Sequence, residues 1–311
     1  MKINLDYETI KANKRNDPNN PITAAFMAIA HAITTSNKLF HSNEDDADVI
    51  FVFGSITDRK LETQRAVKIQ KHRAAGKQIY SLDSAFFSTY IRQHMNSSET
   101  GMFRIGKGDC VGSKPFEFKS SSNGRRFRGL QEAFYFKPKP PITNPMLPIM
   151  FILQTERGWQ YNDTMPYKDY ARKVLAHIRA LTDRKVILRA HPNHGREPLE
   201  YIAQGFDNIE FQYGERARNS LITDLQGIGA VVTHSSSAAV ESLVEGIPTF
   251  ALDERCIAYD ACENNLMIIN RLKDYNWIGI KQKFNDWANC SYHINELANP
   301  QRLETILEQY K

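Results

Sequence analysis

The feature that most constrains this chain is an alternation in its second half. Between residues 149 and 252, short apolar runs take turns with amphipathic stretches. IMFILQ (149–154), KVILRA (185–190), NIEFQY (208–213), GAVVTH (229–234) and IPTFAL (247–252) have the length and composition of strands. Between them, YKDYARKVLAHIRALT (167–182), residues 198–204, ARNSLITDLQGI (217–228) and SSAAVESLVEG (236–246) read as helices. Strands that alternate with helices predict parallel βαβ units and a doubly wound sheet.

A smaller version of the pattern precedes it. VIFVFG (49–54) reads as a buried strand. DRKLETQRAVKIQKHRAA (58–75) reads as a charged amphipathic helix carrying Leu61, Val67 and Ile69, with Gly76 as its C-cap. KQIYSLD (77–83) is the next strand. PITAAFMAIAHAITTS (21–36) is a further helix, with Pro21 in its first turn. SKPFEFKSSSNGRRFR (113–128) reads as irregular chain or a hairpin about Asn123-Gly124. KPKPPITNPMLP (137–148) holds five prolines in twelve residues, which excludes helix and central strand and predicts a linker. The expected division is an α/β domain over 1–136, a linker over 137–148 and a second α/β domain over 149–311. The terminal helix, PQRLETILEQY (300–310), is expected to pack back across the molecule.

A chain of 311 residues is long enough for two such domains, and 41% hydrophobic with 24% charged residues is a globular balance. No apolar run reaches the ~18 residues of a membrane helix. The N-terminal MKINLDYETIKANKR has no signal-peptide core. A cytoplasmic protein, of a bacterium or a phage-infected cell, is expected. Cys110, Cys256, Cys262 and Cys290 have no C-x-x-C spacing and read as spare thiols. The net charge of +5 leans toward anionic partners.

In open α/β sheets, ligands bind outside the carboxyl ends of the strands. Gln154, His191, His234 and the run Ser235, Ser236, Ser237 all fall at predicted strand ends. The serine run also opens a helix, whose unpaired N–H groups and dipole favour anions. Glu241 stands one turn beyond Ser237. A carboxylate there suits paired ribose hydroxyls, and a histidine suits a phosphate oxygen. Together these groups describe a pocket for a nucleoside mono- or diphosphate. The plainer alternative is a serine N-cap and satisfied loop histidines.

LRAHPN (188–193) together with THSSSAAVESLVEGIPTF (233–250) resembles the donor half of GT-B glycosyltransferases. Capsule-type Kdo transferases are the nearest in kind; sialyltransferases and teichoic-acid polymerases are more distant. The resemblance covers about residues 149–253. It implies a GT-B-like α/β fold of two Rossmann-like domains facing a cleft. It also implies a donor site lined by Arg189, His191, Pro192, Ser235, Ser236, Ser237 and Glu241. An NDP- or CMP-sugar would be the co-substrate, with no cofactor or metal required. No D-x-D motif stands out, and Glu44-Asp45-Asp46 reads as a solvated loop. In the first half, SLDSAFFSTYIR (81–92) keeps the family's acid as Asp83 but carries Ala85 where the family has glycine. The acceptor hydroxyl needs a base. Asp83 and Asp109 are the candidates.

Residues 114–139 interleave Lys114, Lys119, Arg125, Arg126, Arg128, Lys137 and Lys139 with Phe116, Phe118, Phe127, Phe134, Tyr135 and Phe136. Cations beside rings are the ingredients of a nucleic-acid surface. The plainer reading is core aromatics beneath a basic edge. The favoured acceptor is therefore the hydroxymethyl group of a modified pyrimidine in double-stranded phage DNA, as for phage-type DNA glycosyltransferases. A capsule or lipopolysaccharide glycan transferase is the alternative. A non-catalytic nucleotide or nucleic-acid binding protein is the third reading.

Overall fold

The apolar runs become strands of two separate sheets. The computed structural model describes residues 1–6, 21–54, 64–94, 101–108, 112–117, 122–154, 161, 165–191, 197–213 and 220–310. The chain divides into one compact unit made of Met1–Tyr135 with Lys281–Lys311 and a second made of Phe136–Ile280.

The first unit begins with β1 (Lys2–Leu5), α1 (Pro21–Thr35), β2 (Phe40–His41), β3 (Val49–Phe53), α2 (Gln64–Ala74), β4 (Gln78–Ser84), α3 (Ser88–His94), β5 (Met102–Lys107) and α4 (Arg125–Phe134). The helix α4 begins where irregular chain or a hairpin was expected. Gly124 does turn the chain, at φ +71°, but as the N-cap of a helix. Phe127 and Leu130, three apart, give α4 a buried face that its arginines mask in the sequence.

The second unit contains β6 (Ile149–Ile152), α5 (Tyr167–Leu181), β7 (Val186–Ala190), α6 (Glu197–Ala203), β8 (Ile209–Tyr213), α7 (Ser220–Asp224), β9 (Ala230–Thr233), α8 (Ala238–Val244) and β10 (Thr249–Ala251). Its five strands are all parallel, in the order β10-β9-β6-β7-β8. Alternate residues of the strands enter opposite cores. Ile149, Phe151, Val186 and Leu188 pack with Val174, Leu175 and Ile178 of α5 and with Leu199 and Ile202 of α6. Met150, Ile152, Ile187 and Val231 pack with Leu225 and with Ala238 of α8. Helices thus cover both faces, and this half is doubly wound as expected.

The chain ends in α9 (Ile280–Asn289), β11 (Ser291–His293), α10 (Ile294–Leu297) and α11 (Pro300–Gln309). Here the expected division of the chain is corrected. Residues 281–311 do not belong with the second half. β11 pairs antiparallel with β5 and completes a six-stranded sheet, β11-β5-β4-β3-β1-β2. Tyr80 donates from its hydroxyl to the Leu307 carbonyl at 2.9 Å, and the Tyr310 hydroxyl donates to the Ile105 carbonyl. This sheet is mixed: its β1–β4 strands run parallel, and β5 runs against β4.

The proline-rich stretch is corrected as well. It takes no regular structure but is packed onto the second unit rather than spanning free. Lys139 N donates to Val244 O and Ile142 N to Gly246 O, each at 2.7 Å. Among the described residues, no helix is long and apolar enough to cross a membrane.

Candidate functional site

The order of the second sheet creates a crevice. From β6 the chain winds outward through β7 and β8, then returns to the other side of β6 to form β9 and β10. The connections leaving β6 and β9 therefore diverge above neighbouring strands. Such a topological switch point is where open α/β sheets hold ligands. Gln154 lies just past β6, and His234 and Ser235 just past β9.

These three side chains form one buried chain of hydrogen bonds. Ser235 donates to Gln154 Oε1 twice, from N at 3.3 Å and from Oγ at 3.1 Å. His234 Nδ1 lies 2.8 Å from Ser235 Oγ. The other ring nitrogen, Nε2, faces Asp253 Oδ2 at 3.5 Å. The imidazole meets Tyr161 and Tyr170 edge-on, with centroids 5.4 and 5.0 Å away, and His234 is only 1% exposed. Tyr167 accepts from Gln154 N at 2.9 Å, and burial pushes its phenol well above the ordinary range. The backbone between β6 and β9 is thus tied by side chains as well as by the strand ladder.

The three serines have separate jobs. Ser235 belongs to the buried chain just described. Ser236 Oγ accepts from Ala238 N at 3.2 Å, which is a capping bond. Ser237 is exposed and makes no cap bond. The helix they open, α8, has seven residues. Glu241 is buried in its first turn.

Arg189 is placed otherwise than the resemblance implied. It is buried, and its Nε donates to Asp224 Oδ2 at 2.8 Å, while Gln212 Nε2 donates to Asp224 Oδ1 at 2.5 Å. It is a strut linking β7, β8 and α7. His191 is half-buried just past β7. Pro192, Asp109 and Lys119 lie outside the described residues, as does Leu61.

Two residues that sequence reasoning missed stand past β10. Asp253 N donates to His234 O at 3.1 Å. Arg255 clamps Asp253 through Nε and Nη2, each at 2.6 Å, and through its backbone N at 2.9 Å. Burial alone would raise the Asp253 carboxyl, but the Arg255 hydrogen bonds and the facing His234 bring it below its ordinary value. ALDERC carries a charged pair at a strand end, which was the one available signal.

In the first unit, Asp83 does not present a free carboxylate. It stands opposite Arg104 across the β4–β5 ladder, and Arg104 Nη2 donates to Asp83 Oδ2 at 2.8 Å. Ser84 N donates to the other oxygen at 2.7 Å. Sequence reasoning also missed Asp6, buried past β1 at this sheet's own switch point between β1 and β3. Lys68 of α2 lies 3.8 Å from it and also pairs with Glu44.

The expected nucleic-acid surface keeps exposed cations but loses several of its rings to the core. Phe116, Phe127 and Phe136 are buried; Phe127 packs 5.4 Å from Phe87 and 5.5 Å from Phe284. Arg126 is tied to Glu296 through both terminal nitrogens and lies over the Tyr292 ring. Lys114, Arg125 and Arg128 are exposed. Stacking on bases needs open ring faces, and these rings serve the core. Among the described residues, no group of three or more His, Cys, Asp or Glu stands together in a way that could hold a metal ion.

No protein-family model matches the sequence, and no curated protein aligns with it significantly. Several solved structures are similar to it. The beta Kdo 2,4 transferase of Thermosulfurimonas dismutans KpsC is 12% identical, with 88% of this chain and 89% of that one aligned at a TM-score of 0.47. Its beta Kdo 2,7 transferase is 11% identical over 93% and 98%, also at 0.47. The UDP-GlcNAc 2-epimerase of Neisseria meningitidis, bound to UDP-GlcNAc, is 10% identical over 99% and 100%, at 0.34.

Proposed function

We propose that the protein is a glycosyltransferase whose second unit holds the nucleotide of an activated sugar. One observation carries this reading. The segment 233–250, which resembles part of the GT-B donor half, begins at the carboxyl end of β9, beside the β6/β9 switch point, and there Gln154, Ser235 and His234 converge in a single hydrogen-bonded set. In the reaction, the bond from the anomeric carbon to the phosphate oxygen breaks. A bond from that carbon to the acceptor oxygen forms, and a base takes the acceptor's proton. The departing phosphate gains negative charge, so fixed donors and cations near it lower the barrier. Glu241, buried one turn into α8, is assigned to the ribose hydroxyls.

The acceptor is proposed to be a glycan hydroxyl. DNA required rings for stacking and a continuous run of cations. Phe116, Phe127 and Phe136, three of the six rings, are buried, and Arg126 is engaged by Glu296.

The test is turnover. The protein is incubated with UDP-, GDP- and CMP-sugars and either an oligosaccharide or duplex DNA containing 5-hydroxymethylcytosine, and products are weighed by mass spectrometry. A sugar-sized gain on the oligosaccharide, abolished in Glu241→Gln, is expected. A gain on the DNA alone would restore the DNA acceptor. Absence of both nucleotide release and mass gain across the panel would leave a binding protein.

A further inference from the structure

We propose that Cys256 and Cys262 form a modification site, a thiol pair that closes reversibly to a disulfide and in closing loosens the serine turn past β9. The proposal does not depend on what the second unit binds. Both cysteines are reduced in this structure. They flank a single turn of 3-10 helix, Tyr259–Ala261. Tyr259 N donates to Cys256 O and Cys262 N donates to Tyr259 O, each at 3.1 Å. These two successive turns fold the stretch back on itself, and the Cys262 side chain is hydrogen-bonded to that of Cys256. A disulfide needs its sulfurs to approach to about 2.05 Å. Sulfurs already in hydrogen-bonding contact, on a loop, have a short path to that distance.

The two thiols differ in access. Cys256 is fully buried, and its Sγ donates to Ser236 O at 3.7 Å. Cys262 is half-buried and is the one an oxidant reaches first. Burial, and then the hydrogen bond to Cys256, hold the Cys262 thiol well above its ordinary range. Only the thiolate attacks, so the exchange is slow at neutral pH and quickens as the pH rises. The oxidant is a small disulfide such as oxidised glutathione. The Cys262 thiolate attacks one of its sulfurs, the S–S bond breaks and one thiolate leaves. Cys256 then gives up its proton and attacks the Cys262 sulfur of the mixed disulfide, and the second thiolate leaves. Two cysteines are oxidised, one small disulfide is reduced to two thiols, and the two protons go to the departing thiolates. The proton that Cys256 loses is the one it donates to Ser236 O. Ser236 O keeps its bond from Ala239 N at 3.2 Å, but the thiol contact that ties the loop past β10 to the serine turn is gone until reduction restores it.

The test is carried by the unaltered chain. The full-length protein is incubated with oxidised glutathione at about pH 8.5, where thiolate is more abundant, and free thiols are then alkylated. Trypsin leaves both cysteines in one peptide, residues 256–271. That peptide should lose the mass of two hydrogens and take up no alkyl label, and dithiothreitol should reverse the change. Cys262→Ser should abolish the loss and Cys290→Ser should not, with melting midpoints reporting folding of each variant. In the oxidised protein, amide exchange over residues 235–239 should quicken by about two- to fivefold and return on reduction. A peptide 256–271 that remains labelled at both cysteines would overturn the proposal. So would a stable glutathione adduct in place of the internal bond, or a disulfide from either residue to Cys110 or Cys290. A disulfide between Cys256 and Cys262 with unchanged exchange over 235–239 would overturn its link to the serine turn.

Discussion

Gly246 stands at φ +73°, and a Cβ there would lie 2.2 Å from the Pro140 carbonyl oxygen. Its presence in the G-x-P of EGIPTF therefore has a packing cause. The backbone of the proline-rich stretch passes directly over it and accepts no side chain. Gly246→Ala combines left-handed strain with a backbone clash, and the loss of stability should be roughly 2–4 kcal/mol in urea melts. A loss near zero would mean that the proline-rich stretch does not lie there. The same distinction applies across the motif. Ser235 and His234 are wired into the crevice wall, Ser236 caps, and Arg189 braces the sheet from below. A motif read as one ligand-binding unit is in fact several residues with different duties, and only their contacts separate them.

At the scale of elements, α2 is held over the first sheet by charge as well as by apolar contact. His72 is buried there, 3.6 Å from Glu44. Burial, and then the neighbouring Lys77, lower its pKa below 6.5, with Glu44 opposing in part. The unfolded chain thus binds more protons than the folded one once the pH falls to about 6.5, and the folded state loses stability below that point. His72→Gln should flatten the decline in unfolding free energy between pH 7 and pH 5. An unchanged slope would show that other groups dominate. Legibility followed the range of the contacts. The strands of the second unit were readable because each lies next to its own helix in sequence. β11 was not, since Ser291–His293 is a short run whose partner, β5, lies nearly two hundred residues away. α4 was hidden because Arg125, Arg126 and Arg128 drew attention from Phe127 and Leu130. In the site, strand ends and serines were legible. The Asp253–Arg255 clamp was not, because nothing local says that an acid two residues from an arginine will face a histidine on the next strand.

At the scale of the molecule, the chain builds one unit from its two ends and the other from the residues that lie between those ends in sequence. The second unit is continuous, with its own two cores on either face of one sheet. Residues 136–280 expressed alone should therefore unfold cooperatively in urea and keep nucleotide affinity within a few-fold. Residues 1–135 alone, lacking β11 and the Leu307 and Tyr310 contacts, should not fold. A folded 1–135 fragment would contradict the role given to the C-terminal segment.

The most direct measurement of the central claim is amide hydrogen exchange on the full-length protein, with and without saturating UDP or CMP. Protection is predicted in peptides covering 152–154, 233–241 and 253–256, the carboxyl ends of β6, β9 and β10. Saturable binding with protection confined to the first unit, or with no slowing at these strand ends, would contradict it.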